Sequence, residues 1–313
     1  MLKAIRLRVI GVISMNAIES GTRLALRNIL FLSDFSDASE LALPFARNLA
    51  RQYESKILAL HVLTSFPLAY ASPESAAATL EAMENGAQAG CQQLESQLLG
   101  LDHQTILMRS SSVWPAVDSV LHEYSIDLVV LGTHGRTGAL KLLMGSVAEE
   151  IFRKCNTPVL TIGPAVRNGV HNGGRFHTIL YATDFSREAD AAAPYALSFA
   201  EESRARLMLL HVLPQPSPKK GPKSPKESVA DAMHQMQRLL PKGAGGLCRP
   251  EVMVRFGRPS EKILECARDS GADLIVTGVR SPGSRIGIES HFESAIAHRV
   301  VTQAVCPVLT MRG

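Results

Sequence analysis

Ile29-Leu30-Phe31-Leu32-Ser33-Asp34-Phe35-Ser36 returns 150 residues later as Ile179-Leu180-Tyr181-Ala182-Thr183-Asp184-Phe185-Ser186. The register holds without a gap from Asn28/Thr178 to Leu63/Leu213, where 13 of 36 aligned positions are identical. Among them are Pro44/Pro194, Ala50/Ala200 and His61-Val62-Leu63/His211-Val212-Leu213. The copies match again at Ile126-Asp127-Leu128-Val129-Val130-Leu131-Gly132 and Ala272-Asp273-Leu274-Ile275-Val276-Thr277-Gly278. Both close alike, on Pro158-Val159-Leu160-Thr161-Ile162 and Pro307-Val308-Leu309-Thr310-Met311. A period this long is outside the roughly 20–50 residues of a solenoid repeat, so a whole domain has been duplicated.

Each copy alternates strand and helix. Ile29–Leu32 is a short continuous apolar run, as in a strand buried on both faces of a parallel sheet. Ser36 is a natural N-cap for a helix running to about Gln52, and Pro44, repeated as Pro194, should bend it. Further strands are expected at 57–63, 105–109, 127–131 and 158–162, with helices at 73–99, 115–124 and 146–155. Trp114-Pro115 should open the second-last helix with the indole over the sheet edge. This order gives an α/β fold: two tandem, five-stranded, mostly parallel open sheets with helices on both faces, Rossmann-like. The expected domains are residues 28–163 and 176–313, joined by a Gly- and Asn-rich linker over 164–175 and preceded by a poorly ordered extension over 1–27. That extension is basic, with Glu19 its one acid, and its apolar run Val9-Ile10-Gly11-Val12-Ile13 is too short for a signal core. A start at Met15 is an alternative to Met1. The Pro- and Lys-rich stretch 214–225 reads as a solvated loop of the second copy.

Composition sets limits. Of 313 residues, 46% are hydrophobic and 20% charged, which argues against wholesale disorder. No apolar run approaches the roughly 18 residues of a membrane span, and a net charge of +4 is too small to suggest a nucleic-acid binder. Cys91, Cys155, Cys248, Cys266 and Cys306 form no Cys-x-x-Cys pair and suit reduced thiols in the cytoplasm.

The chemistry concentrates after the fourth strand of the first copy, in Gly132-Thr133-His134-Gly135-Arg136-Thr137-Gly138 through Met144-Gly145-Ser146. Ligands of open α/β sheets bind beyond the carboxyl ends of the strands. Gly132 and Gly135 let backbone come close to a ligand, and Gly145-Ser146 opens a helix whose N–H groups attract an anion. Ser146 adds a hydroxyl and Arg136 a charge, completing a phosphate cradle. The competing reading is a loop shaped by its glycines.

Gly132-x2-Gly135-x9-Gly145-Ser146, preceded by the strand-end Asp34, resembles the ATP-binding signature of the universal stress protein family, and the resemblance spans both copies. It implies a five-stranded parallel α/β fold of the adenine-nucleotide-binding type, in agreement with the strand count. It further implies that Asp34 lies by the adenosine and that Val62 meets the adenine edge through its backbone. Gly132, Gly135, Gly145, Ser146 and Val147 would hold ribose and phosphates. The cofactor expected from it is ATP, with magnesium an open question. Pairing of the two copies through their fifth strands is also implied; a homodimer and a protein partner stay open. The second copy departs from the signature. Ser281 stands for Gly135, Ser294 and Ala295 stand for Gly145 and Ser146, and the loop between is three residues longer. A degenerate partner domain is expected there.

His61 and His211 read as satisfied histidines, since no second ligand stands at metal spacing, and no metal site is expected. His134 could serve phosphate or merely the loop. Cys155 and Cys306 should be buried. There is no P-loop, His-Glu-x2-His helix or Gly-x-Ser-x-Gly elbow. Three function classes compete: a nucleotide-dependent regulatory or stress-response protein without fast chemistry, a slow ATPase or phosphotransferase, and a nucleotide-independent interaction module. With Asp34 as the one carboxylate near the loop, the first is favoured and no catalytic residue is expected.

Overall fold

The computed structural model describes residues 24–64, 73–133, 144–166, 175–215, 225–239, 250–280 and 288–312. They fall into two compact units, one spanning Ala25–Arg175 and the other containing Phe176–Gly313.

The first unit runs β1 (Asn28–Leu32), α1 (Asp37–Tyr53), β2 (Lys56–Thr64), α2 (Pro73–Leu98), β3 (His103–Ser110), α3 (Val113–Glu123), β4 (Leu128–Gly132), α4 (Ser146–Lys154) and β5 (Val159–Ile162). Its strands pair in parallel in the order β3-β2-β1-β4-β5. The second unit repeats the plan with β6 (Thr178–Ala182), α5 (Arg187–Ser203), β7 (Arg206–Leu213), α6 (Pro225–Leu239), β8 (Glu251–Phe256), α7 (Pro259–Ser270), β9 (Leu274–Gly278), α8 (Ile288–Gln303) and β10 (Val308–Met311). Its order is β8-β7-β6-β9-β10, again parallel. The expected fold class is therefore the one observed.

Apolar runs become central strands because both faces are covered. Ile29, Leu30, Phe31, Leu58, Leu128, Val129 and Val130 are essentially inaccessible to solvent. Each such side chain contributes roughly 1.5–3 kcal/mol relative to exposure. α1 lays Ala42, Leu43, Ala46, Leu49 and Ala50 on the sheet, the i, i+4, i+7 stripe of an amphipathic helix. Ser36 caps it, its Oγ accepting from Ser39 N at 3.4 Å, and Ser186 caps α5 through Ala189 N at 3.2 Å. Both helices run unbroken through Pro44 and Pro194. Each ends on a left-handed non-glycine residue, Glu54 (φ 55°) or Arg204 (φ 52°), whose N–H returns to Ala50 O or Ala200 O.

The matching pair Asp127/Asp273 has a structural task. Asp127 Oδ2 accepts from the backbone N–H groups of Arg27 (2.7 Å) and Asn28 (2.9 Å). Asp273 Oδ2 does the same for His177 (2.6 Å) and Thr178 (2.9 Å). These carboxylates pin the chain where it enters β1 and β6. The extension expected over residues 1–27 thus meets the first unit at its last residues, where Leu26 is buried and Arg27 O accepts from Lys56 N. Residues 1–23 of that extension, and 167–174 of the linker, lie outside the described residues.

Trp114 does open α3, as expected. Lys154 Nζ, at the end of α4, lies 5.8 Å from the ring centroid, so the ring serves the contact between α3 and α4. Cys155 and Cys306 are buried, and burial pushes the Cys306 thiol up to about 12, which leaves it protonated and unreactive. No described helix is long and apolar enough to cross a membrane.

Candidate functional site

Strand order locates the crevice. From β1 the chain moves outward through β2 to β3, then returns to place β4 on the other side of β1. The connections that leave the carboxyl ends of β1 and β4 therefore run toward opposite edges of the sheet, and open α/β sheets take ligands at such a switch point.

Asp34 stands at the end of β1 in a braced turn. Its Oδ1 accepts from Ser36 N (3.0 Å) and Ser36 Oγ (2.5 Å), an Asx-type turn leading into α1. Phe35 follows with φ 59°, a left-handed conformation costly for an aromatic residue. Packing secures it. The Phe35 ring lies 4.3 Å from the His61 ring, and a Cβ on Gly90 of α2 would fall 2.6 Å from the Phe35 ring, so only glycine there admits it. His61 Nδ1 lies 2.7 Å from Ser33 O, which makes that nitrogen the N–H donor. The satisfied-histidine reading fits, and the histidine also clamps the residue before Asp34.

Val62 follows on β2. Leu60 O accepts from Ser33 N at 3.1 Å, so Leu60 faces β1. Strand alternation turns Val62 the same way, two residues on and beyond the last β1 residue, Leu32, which pairs with Leu60. Val62 thus presents its backbone to the crevice above β1.

Gly132 ends β4, and here the structure adds a reason that the sequence does not show. A Cβ at this position would lie 2.4 Å from Ala38 O and 2.6 Å from Ala38 C, in the first turn of α1. The glycine admits the helix as well as any ligand. Thr133 is wholly buried, donating from its N to Ile162 O (2.9 Å) and accepting at its O from Gly145 N (2.7 Å). That last bond ties the two ends of the glycine segment together at its base. Gly145 is the N-cap of α4, with φ −63° and ψ 152° and no side chain to cap the helix. Ser146 and Val147 follow, exposed in the first turn at the positive end of the helix dipole. Gly135, Arg136 and His134 lie outside the described residues. Asp34, Val62, Gly132, Gly145, Ser146 and Val147 all belong to the same carboxyl edge. Among the described residues no cluster of three His, Cys, Asp or Glu could hold a metal.

The second unit keeps the brace and changes the rest. Asp184 Oδ1 accepts from Ser186 N (3.0 Å), Phe185 has φ 60°, and its ring lies 4.4 Å from His211, whose Nδ1 is 2.8 Å from Thr183 O. A Cβ on Gly278 would meet Ala189 N at 2.3 Å, so this glycine too makes room for a helix. Asp184 Oδ2, however, is 3.0 Å from Arg280 Nη2. Moreover α8 begins at Ile288, seven residues before Ala295, the counterpart of Ser146. The N–H groups of Ser294 and Ala295 are consequently spent inside a helix rather than offered at its start. Neither Arg280 nor this early start is legible in the spacing of the glycines. The one sequence signal for Arg280 is that it stands where the first copy has His134.

Burial of the His211 ring lowers its pKa from 6.5, against smaller opposing effects of Thr183 O and Asp184. Its folded-state pKa therefore lies below the unfolded one, and the unfolded chain binds more protons between the two. Stability of this unit is full above 6.5 and is lost as pH falls below that value. Denaturant titrations from about pH 7.5 to about 5.5 should show a decline that His211→Gln flattens; equal slopes in the two proteins would refute it.

The fold defines a class: tandem α/β domains, each a five-stranded parallel sheet with a topological switch point at the carboxyl ends of its strands. A sequence profile of the universal stress protein family matches residues 25–163 and 175–312. The chain belongs to that family, with two such domains in tandem. A universal stress protein of Thermus aquaticus, named for its place in the 3′ region of QAH/OAS sulfhydrylase, is 32% identical over 139 residues, 44% of this chain and 99% of its own. A universal stress protein structure from Archaeoglobus fulgidus superposes on 92% of this chain and 99% of its own, with a TM-score of 0.67 and 21% identity. Another, solved in complex with cAMP, matches 44% of this chain and 97% of its own at 21% identity and a TM-score of 0.33.

Proposed function

We propose that this chain is an ATP-binding regulatory protein of the stress response whose nucleotide is held by the first unit. What supports this reading is that Asp34, the Val62 backbone and the start of α4 all follow or end strands at one carboxyl edge, beside the β1/β4 switch point. In it, the Asp34 carboxylate accepts from ribose hydroxyls, and Val62 pairs with the adenine edge. The first-turn N–H groups of Ser146 and Val147, with the Ser146 hydroxyl, receive phosphate oxygens. Gly135 and Arg136 complete the cradle in the same reading, and the Gly145–Thr133 bond keeps its two ends at fixed spacing.

The role is regulatory rather than catalytic. Fast phosphoryl transfer needs metal-holding carboxylates and a group that orients the nucleophile. Asp34, the acid of this edge, already spends Oδ1 on Ser36. Magnesium bound with ATP would screen phosphate charge.

Calorimetric titration of ATP, with and without magnesium, into the full chain tests the proposal. One equivalent should bind, and Asp34→Asn should weaken it about tenfold or more, the effect of losing a charged hydrogen-bond acceptor. A chain that binds no adenine nucleotide would instead be an interaction module.

A further inference from the structure

We propose that the second unit is a nucleoside site held shut by its own arginine, Arg280 standing in for the ligand on Asp184. The inference rests on the reading of Asp34 given above.

The acid is presented as in the first unit. Asp184 Oδ1 takes Ser186 N at 3.0 Å, as Asp34 Oδ1 takes Ser36 N at 3.0 Å. The brace of a left-handed Phe185 on the His211 ring is intact. Val212 keeps the place of Val62: Leu210 O accepts from Thr183 N at 3.0 Å, so Val212 faces the crevice beyond the end of β6. What would hold the nucleoside part of a ligand is thus preserved. What would hold phosphates is lost, because α8 is already under way at positions 294 and 295.

The chain diverges two residues past Gly278. Arg280 Nη2 lies 3.0 Å from Asp184 Oδ2, the oxygen not used by the Ser186 turn. Guanidinium N–H and ribose O–H are both donors to a carboxylate, so they compete for the same lone pairs. The pair sits at the rim, with side-chain exposures of 32% and 47%. Ion pairs of that exposure are weak, so this one blocks a ligand without locking the fold. The ligand class that fits the opened site is an uncharged nucleoside, adenosine rather than ATP.

Adenosine titrated into the full chain tests this. The wild type should take one equivalent, lost in Asp34→Asn. Arg280→Ala should take a second, bound at least about tenfold more tightly than in the wild type, and Arg280→Ala/Asp184→Asn should lose it. An Arg280→Ala protein that titrates like the wild type overturns the inference, as does a second site indifferent to Asp184→Asn. If the wild type binds nothing while Arg280→Ala gains an Asp184-dependent site, the reading of the first unit fails and the arginine latch stands. Binding in none of the proteins refutes both.

Discussion

Replacing Gly132 by alanine should destabilise the first unit by about 1–3 kcal/mol, and Gly132→Val by more. The new Cβ would lie 2.4 Å from Ala38 O and 2.6 Å from Ala38 C. These are backbone atoms in the first turn of α1, with no flexible side chain to swing aside. Either α1 lifts from the sheet, or β4 shifts and strains its pairing with β1 and β5. Both outcomes loosen the crevice, so ligand binding and stability should fall together. Gly278→Ala should cost the second unit a similar amount, since its Cβ would meet Ala189 N at 2.3 Å and Glu188 C at 2.5 Å. Denaturant unfolding of the two single variants, followed by a probe of each unit, checks this. An unchanged midpoint in Gly132→Ala would show that the glycine serves a ligand alone.

The two glycines also show where sequence reasoning stops. A glycine that lets backbone approach a ligand and one that lets a helix approach a strand look identical in one sequence. The duplication held the clue: Gly278 persists in a copy where Ser281, Ser294 and Ala295 replace Gly135, Gly145 and Ser146, as expected if its partner is a helix. Strands and helices were legible because the physics behind them is local. Four-residue apolar runs between turn signals became strands, and Ser36 capped α1. The brace of Phe35 on His61 could be glimpsed only as a coincidence of identities at 35/185 and 61/211, because it depends on a left-handed residue and on a distant strand. The Arg280–Asp184 pair joins residues 96 apart, and nothing local announces it. The early start of α8 was hidden for another reason: back-counting from Pro307 fixes which residues align, but not whether the helix has already begun.

Gly145→Asp should lower ATP affinity about a hundredfold or more while leaving the first unit as stable as before, or more stable by a few tenths of a kcal/mol. Gly145 has φ −63° and ψ 152°, extended backbone that any residue adopts and the usual conformation of an N-cap, so the substitution brings no backbone strain. An aspartate there would accept the N–H groups of Val147 or Ala148, as Ser36 Oγ accepts Ser39 N at the start of α1. The Val147 N–H is one of the donors that the phosphates are proposed to use. The carboxylate would also set a like charge beside them. At about 4 Å and an effective dielectric near 20, such repulsion is about 4 kcal/mol per unit charge, and each 1.4 kcal/mol is tenfold in affinity. Gly145→Asn separates the two effects, since it takes the same donors without the charge and should fall between Gly145→Asp and the wild type. Thermal unfolding and ATP titration of the three proteins should therefore move in opposite directions, or only the titration should move. Undiminished ATP binding by Gly145→Asp would remove the start of α4 from the site. Affinity and stability falling in parallel would mean that Gly145 matters for packing, as Gly132 does.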